Sequence, residues 1–222
     1  MTSRRLMALD YTLSAGVLPA VKLKNAMDLL PAVEACLDGG IRVLEVTMTT
    51  PGVLDAFRAI RQQYGDAMLL ASGTTLDAQA AYAAYQAGAS ILVSPAVVPD
   101  VIAVAKRYGL ACFCGAYTAT EVLQVMTAGA DMVKIFPAAL AGPAYMTNLK
   151  MVYPEVQLIP SGGINLETAG EFIRCGAAAI SGARNFFDPA QIADHGLSWV
   201  TRQARQYIEI VAEARRTVYP LP

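Results

Sequence analysis

A lysine and a glutamate stand at equivalent positions in a segment that the chain repeats. The four copies are Gly39-Gly-Ile-Arg-Val-Leu-Glu45, Ala87-Gly-Ala-Ser-Ile-Leu-Val93, Ala128-Gly-Ala-Asp-Met-Val-Lys134 and Cys175-Gly-Ala-Ala-Ala-Ile-Ser181. Burial of an amine among apolar residues disfavours its protonated form, and a free amine attacks carbonyl carbon. A neighbouring carboxylate can carry the protons of that reaction. Lys134 and Glu45 together therefore predict carbon–carbon cleavage through a Schiff base, without a metal ion.

The elements that must position this pair follow from the same repeat. Each copy closes an amphipathic stretch with a glycine suited to a left-handed helix C-cap and runs into a short apolar strand. The copies recur every 41 to 48 residues, about the length of two βα units. Four further strands are predicted between them, at 17–22, 68–72, 111–115 and 157–161. Eight strands alternating with helices predict a (β/α)8 TIM barrel over residues 1–222, a single domain with an N-terminal helix.

The barrel prediction places the last residues of the four copies together. Each interior layer of such a barrel takes one side chain from each of four alternate strands, so Glu45, Val93, Lys134 and Ser181 should form one layer. They lie near the strand C-termini, the face where this fold carries active sites. The alternative is a buried Lys134–Glu45 ion pair without catalytic duty. We prefer catalysis, because desolvating both charges roughly cancels their attraction and makes the pair a costly core element.

Glycine and hydroxyl residues follow several of the predicted strands. Pro160-Ser-Gly-Gly-Ile164 follows strand 7 and Ser181-Gly-Ala183 follows strand 8. Loops at these two strands commonly bind phosphate in this fold, because glycines let backbone N–H groups approach an anion. Gly73-Thr-Thr75 ends strand 3 and Ser94-Pro95 ends strand 4, which adds hydroxyls and an edge to the same pocket. Thr75 is also a candidate N-cap for the next helix.

Composition narrows the class of protein and its partners. The chain is 55% hydrophobic and 16% charged, which favours a large core and a homo-oligomer. A net charge of −1 without a basic stripe predicts neither nucleic-acid nor membrane binding. No secretion signal or membrane span is recognisable, so a cytoplasmic protein is expected, with its four cysteines reduced. The one histidine, His195, lies in a polar segment and is expected to be structural or on the surface.

In combination and order, five motifs resemble the KDPG/KHG aldolases, the family of 2-dehydro-3-deoxy-phosphogluconate and 4-hydroxy-2-oxoglutarate aldolases. The motifs are Leu44-Glu-Val-Thr47, Ser72-Gly-Thr74, Val93-Ser-Pro95, Val133-Lys-Ile-Phe-Pro137 and Pro160-Ser-Gly-Gly-Ile164. The resemblance extends from Gly16 to about Phe187. It implies a class I aldolase that uses no cofactor, typically a homotrimer acting on a small 2-oxo acid.

The resemblance also implies roles for individual residues. The Schiff-base lysine falls on Lys134, the proton-transferring glutamate on Glu45 and the threonine that contacts the pyruvyl carboxylate on Thr74. Aromatic packing beside the lysine falls on Phe136. Ser94 and Pro95 are candidates for the pocket wall by their position at the end of strand 4, independently of the resemblance. The residues matching the phosphate loops are Ser161, Gly162, Gly163, Gly182 and Ala183.

Two positions depart from the family pattern. Thr49 stands where many members carry an arginine that holds the substrate carboxylate, and Lys22 or Lys24 after strand 1 is a candidate replacement. Ala183 stands where a serine is often found in the last phosphate loop, which leaves backbone donors and Arg184. The substrate is thus either a sugar-acid phosphate or a shorter acid such as 4-hydroxy-2-oxoglutarate. Two other functions stay open, a phosphate-binding isomerase or epimerase with Glu45 as base, and a non-catalytic trimeric barrel.

Overall fold

The computed structural model describes residues 3–182 and 186–218. Within these ranges the strands are β1 (Val17–Leu18), β2 (Ala20–Val21), β3 (Val43–Thr47), β4 (Leu69–Gly73), β5 (Ile91–Val93), β6 (Ala111–Ala116), β7 (Met132–Ile135), β8 (Leu158–Pro160) and β9 (Ile180–Ser181). The α-helices are α1 (Arg4–Ala15), α2 (Leu30–Asp38), α3 (Val53–Tyr64), α4 (Ala78–Gln86), α5 (Pro99–Tyr108), α6 (Ala119–Ala128), α7 (Ala138–Ala141), α8 (Pro143–Val152), α9 (Leu166–Arg174), α10 (Pro189–His195) and α11 (Ser198–Arg215). Short 3-10 helices occupy Ala26–Leu29 and Gly65–Ala67.

The strands form a closed parallel barrel, with the first strand split between two partners. Strands β2 to β8 pair in sequence order, and β1 pairs with β9. Pro19 separates β1 from β2 because it has no N–H to donate, although its carbonyl accepts the Glu45 N–H at 2.9 Å. A bridge between Ser161 and Ser181 joins the β8 edge to β9. The predicted (β/α)8 barrel is confirmed, and α1 is its N-terminal helix.

Alternation along the strands divides the apolar residues into two cores. Leu44 and Val46 on β3 face outward and pack with the helices, whereas Val43 belongs to a cluster inside the barrel. Further members of the inner cluster are Leu18, Leu69, Ala71, Ile91, Val93, Ala111, Phe113, Met132, Ile159 and Ala179. Ala8 of α1 joins this cluster and covers its N-terminal end. The filled interior leaves space for a ligand at the opposite end, where the strands finish.

Glycines end the helices that precede the four repeated strands. The φ angles of Gly40, Gly88, Gly129 and Gly176 are 93°, 101°, 85° and 99°. Side chains rarely adopt this left-handed conformation, and glycine adopts it without a steric penalty. Gly129 is itself the C-cap of α6, and Gly40, Gly88 and Gly176 directly follow the C-caps Gly39, Ala87 and Cys175, so left-handed glycines end these helices as predicted.

The four cysteines are free and buried. Burial raises the pKa of the Cys112 thiol well above its ordinary value, which keeps it protonated and unreactive. None of the helices in the described ranges is long and apolar enough to span a membrane.

Candidate active site

A cavity of about 450 Å³ opens at the C-terminal ends of the barrel strands. Its lining residues come from or directly follow seven of the strands. They are Ala20, Glu45, Thr47, Thr74, Pro95, Lys134, Phe136, Ser161, Gly162, Gly163 and Gly182. The cavity therefore lies on the face where this fold carries its active sites.

Lys134 and Glu45 meet at the floor of the cavity. The Lys134 Nζ on β7 donates to Glu45 Oε1 at 3.0 Å and to Oε2 at 3.3 Å. The residues are 6% and 1% exposed. Ser181 Oγ donates to Glu45 Oε2 at 3.1 Å, and Val93 belongs to the inner core beneath. The structure thus brings together the four residues that the repeat placed in one layer.

Two glycines make room for this arrangement. A Cβ on Gly73 would lie 2.4 Å from Glu45 Oε1, and one on Gly115 would lie 2.2 Å from the carbonyl carbon of Pro95. Neither distance is possible between nonbonded atoms. Because Gly73 on β4 and Gly115 on β6 have no side chain, the Glu45 carboxylate and the Pro95 backbone can approach the centre of the barrel.

Thr74 reaches the cavity from a strained turn after β4. Its φ is 56°, and it is the residue other than glycine with a positive φ in the described ranges. Such a conformation costs energy and persists only where its surroundings fix it, commonly at functional sites. Thr75 Oγ1 donates to the Ser72 carbonyl at 2.8 Å, which holds the turn. Thr75 is not the N-cap of α4, because Asp77 accepts the Ala80 N–H there at 2.7 Å.

The loop after β8 presents backbone donors to the cavity. Gly162 and Gly163 have φ angles of 90° and 81°, and a Cβ on Gly163 would lie 2.5 Å from the Ala139 Cβ. No acceptor contacts their N–H groups within residues 3–182 and 186–218. The Gly182 N–H instead donates to the Leu18 carbonyl at 3.1 Å. The Gly162 and Gly163 N–H groups are therefore unoccupied within the described ranges, whereas that of Gly182 is bonded within the barrel.

Ala183 and Arg184 lie outside the described residues, and four other residues predicted for the site, Ser94, Lys22, Lys24 and Thr49, do not line the cavity. Ser94 is fully buried, where its Oγ donates to the Ala96 carbonyl at 2.8 Å and accepts the Gly115 N–H at 3.2 Å. Its hydroxyl therefore stabilises the turn at Pro95 and does not line the cavity. Lys22, like Lys24, borders a separate apolar groove beside α10.

Thr49 does not line the cavity, but it contacts Thr47, which does. Its exposed Oγ1 lies 3.1 Å from Thr47 Oγ1, which also lies 3.1 Å from the buried Thr50 Oγ1. Sequence reasoning did not assign a role to Thr47, although it lines the cavity. The signal was present, since residues two apart on a strand share a face, and Thr47 follows Glu45 by two.

The described residues contain no cluster of three or more His, Cys, Asp and Glu side chains that could hold a metal ion. His195 is exposed on α10 and stacks on Trp199, with ring centroids 6.0 Å apart. It does not line the cavity. The cavity lining supplies the Lys134 amine, the Glu45 carboxylate, and hydroxyl and backbone groups around them.

Comparison with known proteins gives a consistent result. Residues 10–203 match the family model described as KDPG and KHG aldolase. A 2-dehydro-3-deoxy-phosphogluconate aldolase of Treponema pallidum is 37% identical over 197 residues, which cover 88% of this chain and 93% of that protein. A 2-dehydro-3-deoxy-6-phosphogalactonate aldolase of Escherichia coli is 30% identical over 186 residues, covering 83% and 89%. A KDPG aldolase structure from Legionella pneumophila, with pyruvate captured at low pH as a covalent carbinolamine intermediate, superposes with a TM-score of 0.79 at 28% identity, covering 88% and 96%.

Proposed function

The chain belongs to the KDPG and KHG aldolase family, and from this we propose that it cleaves a 2-dehydro-3-deoxy sugar acid 6-phosphate reversibly to pyruvate and glyceraldehyde 3-phosphate. It is an aldolase, a carbon–carbon lyase. The observation that carries the proposal for the site is the buried contact of Lys134 with Glu45 at the floor of an open cavity. We assign the Schiff base to Lys134 and the proton transfers to Glu45.

The proposed reaction uses both groups in sequence. The Lys134 amine adds to the C2 carbonyl, and loss of water gives a protonated imine. Glu45 takes the proton of the C4 hydroxyl as the C3–C4 bond breaks, and the electron pair of that bond moves to the imine to form an enamine. The proton returns to C3, and hydrolysis of the imine releases pyruvate. The contact between Nζ and the carboxylate, at 3.0 Å, supports this division of roles.

The cavity lining supports a binding mode for the substrate. Thr74, Phe136 and Pro95 line the cavity, and in this binding mode Thr74 would contact the pyruvyl carboxylate while Phe136 and Pro95 would form the walls. The Gly162 and Gly163 N–H groups would hold the phosphate beside Ser161, which also lines the cavity. Gly182 contributes by the space it leaves, since a Cβ there would lie 3.5 Å from the Gly162 nitrogen.

A shorter acid, 4-hydroxy-2-oxoglutarate, is the second candidate substrate. Lys134 is the only cation among the described residues that line the cavity, and Thr49 replaces an arginine found in many members of the family. Neutral donors would therefore hold any phosphate on the described part of the site. Measuring kcat/KM for both acids decides between them. A higher value for the sugar acid phosphate than for 4-hydroxy-2-oxoglutarate supports the phosphorylated substrate.

Reductive trapping tests the assignment of the lysine. Wild type incubated with pyruvate and sodium borohydride should gain one pyruvyl adduct in its intact mass. Lys134→Met should gain none, whereas Lys106→Met, a change outside the cavity, should behave as wild type. A folded wild-type protein without an adduct would contradict the proposal and favour an isomerase or epimerase with Glu45 as base, or a non-catalytic barrel.

We further propose a cytoplasmic homotrimer. Apolar side chains lie exposed beside the cavity mouth, with Tyr117 at 38%, Phe136 at 40% and Leu140 at 80% exposure. Contact with another subunit would bury them. The four free, buried cysteines suit a reducing compartment. Cell fractionation would test the location, and recovery of the protein outside the cytoplasm would contradict it.

A further inference from the structure

Ser181 places a hydroxyl inside the barrel where an apolar side chain would fill the layer. It is the last residue of β9 and is fully buried. A buried hydroxyl costs free energy unless it is hydrogen-bonded, and Ser181 Oγ satisfies this need by donating to Glu45 Oε2 at 3.1 Å. The contact joins residues 136 positions apart in the sequence.

We propose that Ser181 is a positioning residue that orients the Glu45 carboxylate and stabilises its ionised form for proton transfer. This inference rests on the proposed function and adds a residue to which no role had been assigned. A hydrogen bond donated to a carboxylate favours the charged form over the protonated one. Ser181 acts through Glu45 and does not itself contact the substrate.

The chemistry of the imine explains why a second donor is needed. In the free enzyme Lys134 Nζ lies within 3.3 Å of both Glu45 oxygens. When the nitrogen becomes an imine it keeps at most one N–H, so the carboxylate loses donors at the stage where it must accept a proton. Ser181 is unchanged by that step and continues to hold Oε2.

Ser161 extends the same chain of hydrogen bonds to the loop proposed for phosphate. Its Oγ donates to Ser181 Oγ at 3.4 Å, and the residue also lines the cavity. Hydrogen bonds in series polarise one another, so the Ser161 hydroxyl strengthens Ser181 as a donor. The order Ser161, Ser181, Glu45 connects the rim of the site with its proton-transfer group.

Few polar or charged groups surround the Glu45 carboxylate. Lys134 is the charged side chain that contacts the carboxylate within the described ranges. The neighbouring strands present Ala20 from β2 and Gly73 from β4, which carry no charge. Ser181 and Lys134 are therefore the two side chains that donate to this carboxylate within the described ranges.

Exchange of the pyruvate methyl protons in D2O, followed by NMR across a pD series, measures proton transfer without an aldehyde substrate. Ser181→Ala should slow exchange about tenfold at each pD, because a hydrogen bond to a charged group is lost. Ser90→Ala removes a buried hydroxyl away from the cavity and should leave the profile unchanged.

A matched pair separates the hydroxyl from the shape of the side chain. Ser181→Thr and Ser181→Val have nearly the same volume, and only the first can donate to Glu45. The threonine variant should exchange at the wild-type rate, and the valine variant should slow exchange as alanine does. Equal profiles for folded threonine and valine variants, or a wild-type profile for Ser181→Ala, would overturn the role of Ser181.

Borohydride trapping distinguishes this result from failure of the proposed function. Ser181→Ala should still form the pyruvyl adduct on Lys134, because the amine is intact. Absence of an adduct in the wild type would instead reject the Schiff base itself. An adduct in both proteins with identical exchange profiles rejects the Ser181 role alone.

Discussion

Gly73 fixes the position of the Glu45 carboxylate by lacking a side chain. A Cβ at this position would lie 2.4 Å from Oε1, so Gly73→Ala should displace the carboxylate from Lys134. A misplacement of about 1 Å in a catalytic group can lower the rate about 100-fold, and we expect a loss of kcat/KM of that order. Steady-state cleavage assays measure it.

The control for this substitution is Gly170→Ala on α9, where the new Cβ would meet nothing closer than 3.4 Å. This variant should keep wild-type activity. A Gly73→Ala enzyme with unchanged kcat/KM would show that the carboxylate position is not critical.

Thr49 should limit the affinity for the substrate carboxylate. It lies exposed beside the cavity and contacts the lining residue Thr47 at 3.1 Å. Thr49→Arg would add a cation there, and a hydrogen bond to a charged group corresponds to about tenfold in affinity. The pyruvate concentration that gives half-maximal borohydride trapping should fall by about that factor. Thr49→Gln, with a long uncharged side chain, should not lower it, and an equal gain in both variants would argue against a charge effect.

At the scale of elements, a capping box begins α6 beside the cavity face of the barrel. Glu121 accepts the N–H groups of Thr118 and Tyr117, each at 2.8 Å, and Thr118 Oγ1 accepts the Glu121 N–H at 3.3 Å. The hydrogen bond from the Thr118 backbone, and to a smaller extent the one from the Tyr117 backbone, lowers the pKa of Glu121 from its ordinary value of 4.5. The cap therefore depends on the ionised carboxylate.

The lowered pKa of Glu121 fixes the sign of its effect on stability. Its contribution is fully present above about pH 4.5 and is lost as the pH falls through the lowered pKa. Glu121→Gln should therefore reduce the free energy of unfolding at neutral pH, and the difference from wild type should shrink in acid. Urea unfolding across a pH series measures it. Glu209→Gln, exposed on α11, is the control, and a Glu121 difference that persists in acid would contradict the assignment.

At the scale of the whole molecule, the exposed apolar residues test the proposed trimer. Leu140 on α7 is 80% exposed, so a charge there should cost little in an isolated chain and much in an interface. Wild type should sediment with three times the chain mass of 23.5 kDa, and Leu140→Glu should dissociate it. Leu6→Glu at the other end of the barrel, where Leu6 is 52% exposed, should leave the mass unchanged. A wild-type monomer would contradict the proposal.

The fold followed from the sequence because its signals are local and periodic. The spacing of Gly40, Gly88, Gly129 and Gly176 predicted the βα units, and the structure confirms the barrel and the left-handed glycines. The split of the first strand at Pro19 was not predicted. It arises because Pro19 has no N–H to donate, so the two halves of that strand pair with β9 and β3 separately.

The candidate site, too, was predicted only in part from the sequence. Side-chain direction is set by strand alternation, so equivalent positions in the repeat were enough to place Glu45, Lys134 and Ser181 on one layer. Which oxygen of Glu45 each donor contacts, the space left by Gly73 and the turning of Ser94 behind the cavity wall depend on neighbouring strands. The periodicity of the sequence determines which side of a strand a side chain points to. A contact near 3 Å also depends on how the strands of the closed barrel are staggered, because the stagger decides which partners come within reach and compete for the same atom.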